Sequence, residues 1–132
     1  MVFLDASAMV SLLTREDDAA DLGSRMARSP KRATSPIAIF EATMAVARKL
    51  DWTVGEAHGL VLRLLSIGGV EIMPIGSAEA GIAVSAQAQF GKGRHAAGLN
   101  MGDCFAYACA KSSGAALLFK GDDFGLTDVE IA

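Results

Sequence analysis

Three carboxylates stand alone in otherwise apolar stretches of the chain. Asp5 is the only charged residue among the first 14, Glu41 is alone between positions 33 and 47, and Asp103 is alone between positions 96 and 110. Burying an unpaired carboxylate costs on the order of several kcal/mol. Each of these residues therefore needs a polar partner, a role at a helix terminus, or a metal ion.

A fourth acidic position lies in the segment KGDDFG, which holds Asp122 and Asp123. The combined set offers only oxygen ligands, which Mg²⁺ and Mn²⁺ prefer in proteins. A bound divalent cation would relieve the repulsion between the carboxylates, activate water and stabilise the leaving oxygen of a phosphodiester. The pattern predicts a metal-binding, catalytic set of acids, namely Asp5, Glu41, Asp103, Asp123 and Asp122.

Ordinary structural roles compete with this interpretation. Asp5 precedes a predicted helix and Asp103 lies near the start of another, so either could be a helix N-cap. The Asp122–Asp123 pair occurs in a turn, where aspartates often bond to the local backbone. Glu41 is the hardest to explain in this way. If Ser35 caps its helix, Glu41 lies a turn beyond the capping-box position, and no basic residue is three or four places away.

Short apolar strands alternate with helices along the chain. We predict strands at Val2–Leu4, Arg32–Ser35, Val70–Ile75 and Ala115–Phe119, with a possible short strand at Val129–Ile131. The predicted helices lie between them, at Ala6–Leu13, Asp17–Ala27, Pro36–Leu50, Thr53–Leu65, Ala78–Gln89 and Met101–Lys111.

This alternation predicts an α/β fold with a central parallel sheet covered by helices on both faces. Functional sites of open parallel sheets lie beyond the carboxyl ends of the strands. Asp5 and the Asp122–Asp123 pair each follow a predicted strand closely. We therefore expect them at the same edge of the sheet.

The overall composition is that of one ordinary globular domain spanning residues 1–132, with 52% hydrophobic residues and a net charge of −3. Cys104 and Cys109 are not at zinc-finger spacing, and two buried, reduced thiols fit a cytoplasmic protein. No secretory signal or membrane-spanning run is visible. The net charge neither indicates nor excludes a nucleic-acid substrate.

Three other classes of protein would use some of the same acidic residues. A phosphoryl-transfer enzyme of the haloacid dehalogenase type would use Asp5 as nucleophile, but it needs a second aspartate where this chain has Ser7. A receiver domain needs paired acids before its phosphoacceptor aspartate and a lysine after a late strand, and Lys120 is the only residue that points to this class. A non-catalytic binding module would use a degenerate metal site, and here the acids are intact. RNA cleavage that requires Mn²⁺ and stops with EDTA would distinguish these classes.

Four segments, in order, resemble the PIN-domain ribonucleases, and most closely the VapC toxins of toxin–antitoxin pairs. They are VFLDASA, IAIFEATMAV, LNMGDCFAYACAK and LLFKGDDFGLTDV, and they span nearly the whole chain. The resemblance implies a three-layer α/β/α PIN-like domain that cleaves RNA with Mg²⁺ or Mn²⁺. It matches Asp5, Glu41 and Asp103 to the family's acids. It also matches Ser7 to a small polar residue near the first acid, and Asn100 to a residue that supports Asp103.

The resemblance leaves the fourth acid open. Many PIN domains carry it two residues before Asp123, at the position of Gly121 here. We expect Asp123 to matter more than Asp122, because the acid before the phenylalanine recurs in the family pattern.

The resemblance also implies partners. They are an RNA substrate, a cognate VapB-like antitoxin that inserts an arginine or lysine beside the acids, and a second copy of the chain. The candidate interface helices lie near Ala6–Leu13 and Pro36–Leu50.

Overall fold

A computed structural model describes all 132 residues. The strands are β1 (Val2–Leu4), β2 (Arg32–Thr34), β3 (Val70–Ile72) and β4 (Ala116–Leu118). The helices are α1 (Ala6–Thr14), α2 (Ala19–Ala27), α3 (Pro36–Leu50), α4 (Val54–Gly68), α5 (Ser77–Phe90) and α6 (Met101–Ser113), followed by a 3₁₀ turn at Asp123–Leu126.

The four strands form one parallel sheet in the order β3-β2-β1-β4. In its register Val2 pairs with Arg32 on one side and with Ala116 on the other. The two central strands are therefore β1 and β2, and all four carboxyl ends lie along one edge. This confirms the predicted α/β fold with a parallel sheet.

Successive residues of each strand face opposite layers, as strand geometry requires. Val2 and Leu4 pack into the core formed with α1–α4, whereas Phe3 packs into the core formed with α5 and α6. On β4, Leu118 joins the first core and Leu117 the second. The sheet is thus covered on both faces, which gives the three layers predicted.

Helix starts follow local capping chemistry. Ser35 caps α3 by accepting from the Ala38 N–H at 3.2 Å, and Pro36 occupies the first turn, where a missing N–H costs nothing. Thr53 and Glu56 form a reciprocal capping box that begins α4. These local signals explain why the predicted helix starts agree closely with those in the structure.

Two strand predictions differ from the structure by more than one residue at an end. β3 ends at Ile72 rather than Ile75, because Pro74 has no N–H to extend the hydrogen-bond ladder. The segment at Val129–Ile131 forms only a single parallel bridge, from Ile131 to Leu117. No helix combines the length and apolar character needed to cross a bilayer.

Candidate active site

Asp5 follows β1 directly and caps α1. Its Oδ2 accepts hydrogen bonds from the Ser7 N–H at 3.1 Å and from the Ser7 hydroxyl at 2.5 Å. The residue is only 5% exposed, and burial raises the pKa of its carboxyl despite those hydrogen bonds. Asp5 therefore has the N-cap role considered from the sequence.

Asp103 lies in the first turn of α6 but is not its cap. Asn100 is the cap, and its Oδ1 accepts from the Asp103 N–H at 2.9 Å. Asp103 Oδ2 accepts in return from the Asn100 N–H at 3.1 Å. The N-cap alternative for Asp103 is thus replaced by a capping-box position. Its Oδ1 remains unbonded, and Asn100 directly supports the acid.

Glu41 lies on α3 and packs against the start of α6. Its carboxylate is so close to Gly102 that a Cβ at that glycine would overlap it. The positive end of the α6 dipole favours an anion there. No hydrogen bond to the protein affects this carboxylate; it experiences only burial and the charges of Asp5 and Asp103. A structural role does not account for Glu41.

Mutual repulsion links the acids electrostatically. Burial, followed by the charges of Asp5 and Asp103, raises the pKa of Glu41 to about 7. Burial is also the main reason that the pKa of Asp103 rises to about 6; Asp5 and Asp123 raise it further, while the Asn100 N–H opposes them. Four of the five predicted acids therefore act on one another across the carboxyl edge of the sheet.

Asp123 and Asp122 are both exposed in the turn after β4. Gly121 has a φ of +103°, a conformation that favours glycine, and it redirects the chain. Phe124 is buried, and its ring centroid lies 4.9 Å from that of Phe119. This aromatic contact anchors the turn. Asp123 acts on the pKa of Asp103, and Asp122 does not. The structure thus brings Asp123 into the cluster and leaves Asp122 beside it.

The donor set fits a hard divalent cation, since all its atoms are carboxylate oxygens. In this arrangement no three acidic, histidine or cysteine side chains form a ready-made metal cage. Placing the acids on one ion would therefore require side-chain torsions to change. Glu41 and Asp123 have room to do so, because one is half-buried without a hydrogen bond and the other is exposed.

Two features of the site were not predicted from the sequence. Gly102 makes space for Glu41, and the Lys120 N–H donates to the Ser7 hydroxyl at 3.0 Å, which in turn donates to Asp5. The first could have been suspected from a glycine inside a helix start. The second joins residues 113 positions apart and has no local signal.

Comparisons with known proteins agree with this architecture. The model of the PIN domain family matches residues 2–130. The chain is 42% identical to a Ribonuclease VapC of Mycolicibacterium smegmatis over 127 residues, which is 96% of this chain and 95% of the relative. It is 38% identical to Ribonuclease VapC30 of Mycobacterium tuberculosis over 127 residues, covering 96% of this chain and 94% of the relative.

A solved structure has the same fold. The crystal structure of Mycobacterium tuberculosis VapC20, described as a sarcin-ricin loop cleaving toxin, superposes with a TM-score of 0.73. The match covers 100% of this chain and 98% of the other, at 14% identity. The family model and the sequence relatives show that this chain belongs to the PIN-domain family, among the VapC ribonucleases.

Proposed function

We propose that the protein is an endoribonuclease that cleaves RNA phosphodiesters with Mg²⁺ or Mn²⁺ held by the carboxylate cluster. The observation that carries the proposal is Glu41, an unbonded carboxylate placed against a helix N-terminus within the field of Asp5 and Asp103. Such an arrangement is costly unless a cation neutralises it. The relatives named as ribonucleases support the same reaction.

Each residue has a distinct part in this proposal. Asp5, Glu41, Asp103 and Asp123 would hold the cation, which supplies activation of water and stabilisation of the leaving oxygen. Ser7 orients Asp5, and Asn100 orients Asp103, through the hydrogen bonds described above. Such supporting bonds fix the carboxylates before substrate arrives.

The direct test is RNA cleavage by the purified protein. We expect fragments from a mixed pool of cellular RNA with Mn²⁺, and no fragments after EDTA is added. Restoration by excess Mn²⁺ would show that EDTA acted through the cation. Equal cleavage with and without EDTA would contradict metal dependence, and absence of cleavage under all cation conditions would contradict the ribonuclease proposal.

Asp123 should matter more than Asp122 for cleavage. Asp123 lies close enough to affect the pKa of Asp103, whereas Asp122 does not. We expect Asp122→Asn to lower the rate at saturating Mn²⁺ by no more than about ten- to a hundredfold, the range for a supporting group, and Asp123→Asn, which removes a direct ligand, to lower it more. The two variants are mutual controls, with equal charge change in one turn. The reverse order would assign the fourth acid to Asp122.

The metal-free protein should lose stability as the pH rises through about 7. Glu41 has a raised pKa in the folded state, so its stabilising contribution is complete below its ordinary pKa and disappears as the folded carboxyl ionises. In EDTA we expect a lower Tm at pH 8 than at pH 5.5. Mn²⁺ should raise the Tm at pH 8, because it binds the ionised carboxylates.

Two variants check the origin of this pH dependence. Glu41→Gln should narrow the difference in Tm between pH 5.5 and pH 8, since glutamine does not ionise. Glu71→Gln, which changes an exposed glutamate on β3, should leave the difference unchanged. An unchanged difference in Glu41→Gln would show that Glu41 does not carry it.

A toxin role with a VapB-like antitoxin is part of the same proposal. The repelling carboxylates would favour a cationic side chain, so an arginine or lysine of the antitoxin would suit this edge. We expect growth arrest on expression without antitoxin, and unimpaired growth would contradict the role. We also expect a cytoplasmic location, consistent with the two buried free thiols of Cys104 and Cys109.

A homodimer is the final element of the proposal. Exposed apolar side chains occur on α3, on α4 and between them; Phe40 is 65% exposed and Ile67 81%. Burying such a surface in a partner is favourable. α1 is mostly buried within the chain, so of the two candidate helices α3 has more support. A dimer mass by light scattering at micromolar concentration is expected, and a monomer mass would contradict it.

A further inference from the structure

A cleft with basic walls continues from one side of the acidic cluster. It has a volume of about 440 Å³, and its polar lining comprises Ser7, Glu16, Glu41, Arg48, Lys49 and Lys120. Glu41 and Ser7 belong to the acidic site described above, so the cleft and the acids share a border. A group bound in the cleft would therefore lie beside Glu41.

Two lysines in this cleft are held by one carboxylate. Glu16, in the loop after α1, has a side chain only 15% exposed and forms ion pairs with both Lys49 and Lys120. Lys120 Nζ also lies 3.6 Å from Asp18 Oδ1. The lysines come from the end of α3 and from the turn after β4, and they remain 47% and 42% exposed. Glu16 therefore brings two accessible ammonium groups to one place.

The cleft also contains a cation that no acid neutralises. Arg48 is exposed on the same wall and forms no ion pair. A lysine ammonium has three donors, so Lys49 and Lys120 can keep Glu16 and still bind another anion. The cleft is thus suited to a phosphate group.

The position of Lys120 is tied to the acidic site. Its backbone N–H donates to the Ser7 hydroxyl, which donates to Asp5. This bond holds the backbone of Lys120 beside Asp5, so the Lys120 side chain enters the cleft from the edge of the acidic site. This connection distinguishes the cleft from a set of scattered surface cations.

We propose that Lys49, Lys120 and Arg48 bind a backbone phosphate of the RNA nucleotide adjacent to the one that is cleaved. Glu16 positions the two lysines for this contact. The inference rests on the proposed ribonuclease function and adds the path of the substrate to it. Contacts of this kind position a nucleic acid without reading its sequence.

The test measures binding of a fluorescein-labelled, mixed-sequence, single-stranded RNA of 12 nucleotides in EDTA. Fluorescence anisotropy gives the binding constant K at KCl concentrations from 25 to 200 mM. We expect Lys49→Gln, Lys120→Gln and Arg48→Gln each to weaken binding by about three- to tenfold at 50 mM KCl. Because the three residues contact a single phosphate, each variant should reduce the slope of log K against log salt by less than about 0.7, the value for one whole phosphate contact on a single strand. Lys120→Gln keeps the backbone bond to Ser7.

Lys31→Gln is the matched control, because Lys31 is exposed before β2, at the opposite edge of the sheet. It should bind RNA like the wild type. Arg48→Gln separates binding from folding, since Arg48 has no ion pair to lose. If the wild type binds and cleaves RNA, but each of the three variants binds the RNA as tightly as Lys31→Gln does, the assignment of a phosphate to the cleft is wrong. If the wild type neither binds nor cleaves RNA, the proposed function itself fails.

Discussion

Neutralising any one of Asp5, Glu41 and Asp103 should abolish RNA cleavage. We expect Asp5→Asn, Glu41→Gln and Asp103→Asn each to lower the rate at saturating Mn²⁺ by at least about a hundredfold. Groups that only support a ligand cost about ten- to a hundredfold, and direct ligands should cost more. The measurement is single-turnover cleavage of a defined RNA.

These variants should remain folded. Asparagine is as good an N-cap as aspartate, so Asp5→Asn retains an acceptor for the Ser7 N–H. Glu41→Gln removes a charge that Asp5 and Asp103 repel, so its metal-free Tm should be equal to or above that of the wild type. Asp17→Asn, at an exposed position outside the cluster, is the control and should cleave normally. Full activity in any of the three would remove that residue from the site.

Gly102→Ala should reduce cleavage strongly while leaving the fold intact. The added methyl would overlap the Glu41 carboxylate and displace it from the start of α6. The Glu41 side chain is flexible and can move aside. The substitution should therefore lower the cleavage rate rather than the free energy of unfolding. We expect cleavage to fall by about ten- to a hundredfold, comparable to the loss of a supporting interaction. The apparent affinity for Mn²⁺ should fall with it.

Gly59→Ala is the matched control, because a Cβ at that glycine of α4 meets nothing within 4 Å. Alanine in a helix is favoured over glycine by about 0.5–1 kcal/mol, so both variants should melt no lower than the wild type. Only Gly102→Ala should lose activity. Wild-type cleavage in Gly102→Ala would mean that the position of Glu41 against α6 is not needed for the reaction.

The parts of the fold governed by neighbouring residues could be predicted from the sequence. The start of α3 was predicted because Ser35 and Pro36 act within one helical turn. The parallel sheet followed from alternating apolar strands and helices. The end of β3 was misplaced because hydropathy continues to Ile75, whereas hydrogen bonding stops before Pro74.

The acids were found because each interrupts an apolar segment, but their surroundings depend on tertiary packing. Gly102 and Glu41 belong to different helices, and nothing near either residue indicates their contact. The ion pairs of Glu16 join residues 33 and 104 positions away, on two other elements. Local sequence patterns do not indicate contacts between residues so far apart in the chain. The acids could therefore be predicted, but not the neighbouring Gly102 or the lysines paired with Glu16.

We expect at least one divalent cation to bind among Asp5, Glu41, Asp103 and Asp123. Paramagnetic broadening of backbone amide signals by substoichiometric Mn²⁺ at pH 8 tests it directly. We expect the earliest losses at the carboxyl edge of the sheet, around Asp5, at the start of α6 and in the turn at Asp123–Leu126, with the amides near Lys31 retained. Glu41→Gln should require more Mn²⁺ for the same losses. Broadening centred on another acidic segment, such as Asp17–Asp21, would show that the cation does not bind at these four carboxylates.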